Sequence, residues 1–127
     1  MKLSENQKTN KKSLPPMAHE ILIIDDKADI RMLIAGILED EGYQTHQAND
    51  GSSAIKSIET RLPSLVLLDI WLEGSQLDGM ELLAHFQEKQ PHTPVIMISG
   101  HGNIETAVST INLGACDFIE KPFTSDR

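Results

Sequence analysis

Five side chains in this sequence could together handle a charged ligand: the adjacent acids Asp25 and Asp26 in "EILIIDD", Asp69 in "LVLLDIWLEGSQLDG", Ser99 in "VIMISG" and Lys121 in "DFIEKPF". Each stands at the end of a short apolar run or just beyond one. Three carboxylates, with a hydroxyl and an amine on the same rim, make a site for a hard divalent cation. Carboxylates crowded into a partly desolvated place raise one another's pKa and weaken the fold unless a cation joins them. Mg2+ suits such a set, because it takes oxygen ligands and keeps several waters, so one or two carboxylates and a backbone carbonyl suffice. Zinc does not, since Cys116 is the only cysteine and His19, His46, His85, His92 and His101 are scattered without ligand spacing. Taken singly, an Asp after a strand is more commonly a helix cap or a turn former, and Ser99 reads equally well as a strand-end hydroxyl bonded to backbone. The weight rests on convergence.

Convergence needs elements that bring the five groups to one rim, and the hydrophobic pattern provides them. "EILII" is a short apolar, β-branched run, and in "KADIRMLIAGILEDEG" the residues Ile30, Leu33, Ile34, Ile37 and Leu38 recur at helical spacing until Gly42. The alternation continues with "YQTHQA" as a less apolar strand, Ser52 to Thr60 as a helix and "LVLL" as a buried strand. It goes on through Met80 to Lys89 as a helix, "VIMI" as a strand, Asn103 to Leu113 as a helix and "DFIE" as the fifth strand. Strands alternating with helices in this way predict a doubly wound parallel sheet with right-handed crossovers and helices on both faces. The weak apolar pattern of the second strand predicts an edge, and the three continuous apolar runs predict the middle. In such sheets ligands bind beyond the carboxyl ends of the strands, where strand order reverses. Asp25, Asp26, Asp69, Ser99 and Lys121 all fall on that side.

The remaining composition narrows the setting. A chain of 127 residues with 39% apolar content is expected to form one domain. Its formal charge of -8 argues against holding DNA or anionic lipid unaided and favours a cation or a basic partner surface. A single cysteine allows no intrachain disulfide, which points to a reducing cytoplasm, and Cys116 is expected to be a small buried residue. "MKLSENQKTNKKSLPP" has no apolar stretch of signal-peptide length, and no apolar run could span a bilayer. Residues 1–17 are therefore expected to be a flexible tail ahead of a domain over 18–127.

Asp25-Asp26, Asp69, Ser99 and Lys121-Pro122, each at its strand end, resemble the receiver domain of bacterial two-component response regulators. "SGHGNIETAV" and "GACDFIEKPF" are most similar to receivers of the nitrogen-regulation (NtrC/NtrX-like) subgroup, and "DIWLEGSQLDG" to the NtrX type within it. The resemblance implies a flavodoxin-like sheet of strand order 2-1-3-4-5. It implies that Asp69 accepts a phosphoryl group from a sensor histidine kinase in a Mg2+-dependent reaction that switches an output surface. Asp26 and Asp69 would bind the ion directly with the carbonyl of Trp71, and Asp25 through water. Ser99 and Lys121 would take phosphoryl oxygens, and Phe118 would be the aromatic that changes rotamer. It further implies a cis Lys121-Pro122 bond, catalysis of the domain's own phosphorylation and dephosphorylation only, and a homodimer in some settings. DNA-binding and ATPase domains would belong to a longer parent protein.

The sequence also departs from the family. The loop between Asp69 and Asp78 is longer than usual and lacks proline. Trp71 is bulkier than the polar residue often found there and is expected to shield an acyl phosphate from water, with His101 the next residue to affect phosphoryl lifetime. The chain stops at Arg127, where the last helix would be starting at "TSDR", so that helix is expected to be truncated. The alternative of a metal-dependent phosphohydrolase with an aspartyl nucleophile expects a second acid where Trp71 stands. A flavin site would need phosphate-binding turns in place of Asp25-Asp26-Lys27, and the nucleotide-binding GxxxxGK[ST] pattern is absent.

Overall fold

The structure is a computed structural model and describes residues 19–72, 78–100 and 104–120. Within it the elements follow as β1 (Glu20–Ile24), α1 (Ala28–Asp40), β2 (Gln44–Ala48), α2 (Gly51–Thr60), β3 (Leu65–Asp69), α3 (Gly79–Lys89), β4 (Val95–Ser99), α4 (Ile104–Asn112) and β5 (Asp117–Glu120). The sheet runs β2-β1-β3-β4-β5 and every adjacent pair is parallel, the flavodoxin-like order the resemblance implies. The weakly apolar β2 takes one edge, and β1, β3 and β4 fill the middle, as their continuous apolar runs require.

Helices pack against both faces of the sheet. Leu22, Ile24, Val66, Leu68 and Met97 pack with Ala54 and Ile58 of α2 and with Leu82, Leu83 and Phe86 of α3. On the opposite face Ile21, Ile23, Leu67 and Ile98 pack with Ile34 and Ala35 of α1. The period of two along each strand divides β1 and β3 cleanly between these clusters. Helix boundaries follow local chemistry. Gly42 ends α1 in the left-handed region at φ 98°, with its N–H donating to Glu39 O, while the Asp50 carboxylate accepts from Ser53 N at the start of α2. Asp78 and Glu81 form a reciprocal capping box at the start of α3.

One expectation is corrected. Cys116 is exposed rather than buried, because the turn entering β5 gives the inward position to Ala115 and sends the next side chain outward. The expected tail over 1–17, the expected longer loop over 73–77, His101, Lys121 with its bond to Pro122, and the expected start of a last helix lie outside the described residues.

Candidate functional site

Strand register builds the acidic cluster. Ile24 of β1 stands opposite Leu68 of β3, so the next residues along, Asp25 and Asp69, are neighbours across the two central strands. The alternation that sends Ile23 and Leu67 to the α1 face carries on to both acids. Asp69 is only 3% exposed and Asp25 fully buried, an expensive place for carboxylates unless charge partners gather there. Asp26 joins them, half-shielded, with the Lys27 ammonium 3.9 Å from its Oδ2. One oxygen from each of Asp25, Asp26 and Asp69 lies within 4.8 Å of the others.

That spacing meets the demands of a small hard cation. Oxygens in one octahedral Mg2+ shell lie about 3 to 4 Å apart, so three carboxylate oxygens within 4.8 Å of one another are near enough to serve one ion. The acids are not consumed by helix capping, the main structural alternative for an Asp in such a place. The N-cap of α1 is Lys27, which makes no side-chain cap bond. Asp25 Oδ1 accepts from the Lys27 N–H at 2.9 Å, a local turn that aims the pair of acids at the rim.

The other sequence-derived positions are distributed around this centre. Ser99 ends β4, is buried, and follows Ile98, which stands opposite Asp69. Trp71 donates its N–H to Asp69 Oδ1 at 3.3 Å, and the residue as a whole is 53% exposed. Phe118 on β5 is half-buried against the cluster that contains Met97. The structure thus brings together Asp25, Asp26 and Asp69, with the Trp71 backbone and Ser99 on the same rim; Lys121 and His101 are outside the described residues.

Two residues that the sequence reading passed over also belong to this region. Gly79 opens α3, and its N–H donates to Ile70 O at 2.9 Å, which pins the end of the loop to its beginning. A Cβ at this position would fall 2.2 Å from the carbonyl oxygen of Asp69 and 2.5 Å from Ile70 Cα. The "DG" pair ahead of an apolar helical run is the signal that could have identified it. Arg31 of α1 donates from Nη1 to the carbonyl of Asp25 at 2.7 Å.

The likenesses to known proteins agree with this geometry. Residues 21–127 match the model of the response regulator receiver domain. The nitrogen assimilation regulatory protein NtrX of Azorhizobium caulinodans is 60% identical over 111 residues, which cover 87% of this chain and 24% of that protein. A crystal structure of the receiver domain of NtrX from Brucella abortus superposes with a TM-score of 0.81 at 61% identity, covering 84% of this chain and 89% of that one. A solution structure of the beryllofluoride-activated NtrC4 receiver domain dimer gives 0.78 at 36% identity, over 85% and 88% of the two chains. The chain spans about a quarter of the length of the curated NtrX-type relatives it matches. It belongs to the response regulator receiver domain family.

Proposed function

We propose that this domain, over residues 18–127 behind a tail at 1–17, is a phosphoacceptor switch in which Asp69 receives a phosphoryl group from a sensor histidine kinase. The observation that carries the reading is the convergence of Asp25, Asp26 and the buried Asp69 at the carboxyl ends of the two central strands. In the transfer the bond between phosphorus and the donor's nitrogen breaks as one forms to a carboxylate oxygen of Asp69. Two anions must approach for this to happen, so the work of the site is positioning and charge neutralisation.

Asp26, Asp69 and the Trp71 carbonyl would hold Mg2+ directly, and Asp25 through water. Bound there, the ion supplies positive charge to the acceptor and the incoming phosphoryl oxygens. The chain's own residues do the rest. The middle of the sheet holds the Asp69 backbone rigid, and its Oδ1 takes the Trp71 N–H, which orients the carboxylate. Ser99 offers a hydroxyl to a phosphoryl oxygen from the end of the adjoining strand, and Lys121 a second positive charge. Phe118, half-buried beside β4, is the side chain whose rotamer would report phosphorylation to the surface. Trp71 and His101 would set the lifetime of the acyl phosphate.

Receiver domains of response regulators are regulatory, and the only chemistry proposed here is the gain and loss of the domain's own phosphoryl group. By likeness to NtrX the domain would act in nitrogen regulation of transcription in the cytoplasm, any DNA-binding and ATPase functions would reside outside these residues, and the domain itself would bind neither nucleic acid nor membrane. No helix among the described residues is long and apolar enough to cross a membrane. Val108 and Ile111 of α4 and Leu113 after it are exposed apolar residues, which supports a homodimer as the switched assembly. Incubation with acetyl phosphate and Mg2+ followed by intact-mass measurement tests the central claim. One phosphoryl addition is expected, absent without Mg2+ and absent in Asp69→Asn; an unmodified wild type, or an equally modified variant, would refute it.

A further inference from the structure

The turn that carries two of the three acids is held by a side chain from outside it. Arg31, whose amide donates to Lys27 O in the opening turn of α1, folds back over the helix start. Its Nη1 donates to the carbonyl oxygen of Asp25 at 2.7 Å and its Nε to Gln47 Oε1 on β2 at 3.1 Å. Asp25 is also held at its amide, which donates to Ala48 O at 3.1 Å, and at its carboxylate, which accepts from Lys27 N at 2.9 Å. The guanidinium reaches the carbonyl from one turn into α1. It therefore fixes the peptide plane between Asp25 and Asp26, and that plane sets the relative direction of the two carboxylates.

The choice of residue runs against local rules. A cation near a helix N-terminus opposes the macrodipole, and α1 also starts on a lysine that makes no side-chain cap bond. Where local preferences are broken together, a site is the usual reason. We propose that Arg31 is a positioning residue for the cation site: its two-pronged bond to Asp25 and Gln47 holds the paired acids in register with Asp69. The proposal rests on the Mg2+ reading above. Its physical content is geometric, because the guanidinium charge by itself repels a cation. A lysine would keep that charge but has no planar fork with which to serve both oxygens in fixed directions.

Sign and conservative replacement separate the two contributions. Mg2+ titrations of the full chain, followed by the emission of Trp71, the only tryptophan, and by the shift in Tm, would be run on the wild type, Arg31→Lys, Arg31→Met and Gln47→Leu. Loss of an outer partner that orients a metal ligand typically weakens metal affinity by about 10-fold or more. Both Arg31 variants are expected to raise the Mg2+ Kd by about that factor, and Gln47→Leu to raise it less, since the bond to Asp25 survives. Wild-type affinity in Arg31→Lys would show that a charge suffices and overturn the proposal, as would unchanged or tighter binding in Arg31→Met. A lower Tm in chelator with an unchanged Kd would reduce Arg31 to a fold-stabilising role and overturn it too. No Mg2+ response in the wild type would instead defeat the cation reading itself, a different outcome from equal binding across the series.

Discussion

At Gly79 the space that any other residue would need for its Cβ is already taken by the backbone that bears the acceptor. A methyl group there would stand 2.2 Å from the Asp69 carbonyl oxygen and 2.7 Å from that of Ile70, and neither atom can swing aside as a side chain would. Gly79→Ala must therefore push α3 away from β3 or tilt the Asp69 peptide. Overpacking of this kind costs about 1 to 3 kcal/mol, so a clear fall in Tm is expected, together with slower labelling of Asp69 by acetyl phosphate. An alanine variant matching the wild type in both would mean that the helix start yields freely. Trp71 poses a complementary question. Its N–H is tied to Asp69 Oδ1 while the residue is about half open to solvent, so its indole is not packed into the core. Trp71→Asn is expected to lose phosphate faster in Mg2+, as followed by the decay of labelled protein. Identical decay would place the indole away from the phosphoryl group.

Among the elements, α2 gives a prediction in pH. The Ser53 N–H, reinforced by the Ser53 side chain, holds the Asp50 carboxyl below its ordinary value of 3.8. A carboxyl depressed in the fold contributes stability above its unfolded pKa and loses it as pH falls through the folded value. The start of α2 should therefore loosen only in acid, at and below the ordinary carboxylate range. Asp50→Asn keeps an acceptor for the Ser53 N–H but cannot titrate, so amide exchange at the start of α2 should be less pH-dependent there than in the wild type. Equal acid sensitivity would assign the effect to other groups. The elements themselves were legible because their patterns are strong and local. "ILII", "LVLL" and "VIMI" can hardly be anything but central strands beside helices of period 3.6, and once they are parallel the strand-end acids must share a rim. Register then did what no pattern announces, setting Asp25 beside Asp69. The grip of Arg31 on Asp25 was not legible, since a side chain folding back on its own helix start leaves no period in the sequence. Cys116 was misread because its direction depends on the turn between α4 and β5, where Gly114 takes a positive φ.

For the molecule as a whole, the acidic rim is a stability problem as well as a function. Asp25 and Asp69 are buried at the ends of adjacent interior strands with Asp26 beside them, and without a cation their mutual repulsion works against the fold. Sites that hold like charges together commonly do so at the expense of stability, and a ligand bound only by the native state restores it by mass action. Two opposite results follow from the same cluster. In chelator, the triple variant Asp25→Asn, Asp26→Asn, Asp69→Asn is expected to melt at or above the wild-type temperature, because the repulsion is gone and Asn keeps the size and most of the hydrogen bonding of Asp. In Mg2+ the order should reverse. At a free concentration ten times Kd the wild type gains about 1.4 kcal/mol, roughly 4 to 8 °C for a domain near this size, while the variant gains nothing. Thermal melts of both proteins across a Mg2+ series, with Ca2+ as a larger ion that prefers more oxygen ligands, would read the crossing directly. Parallel curves with no crossing would mean that the three carboxylates do not share an ion, whatever their proximity.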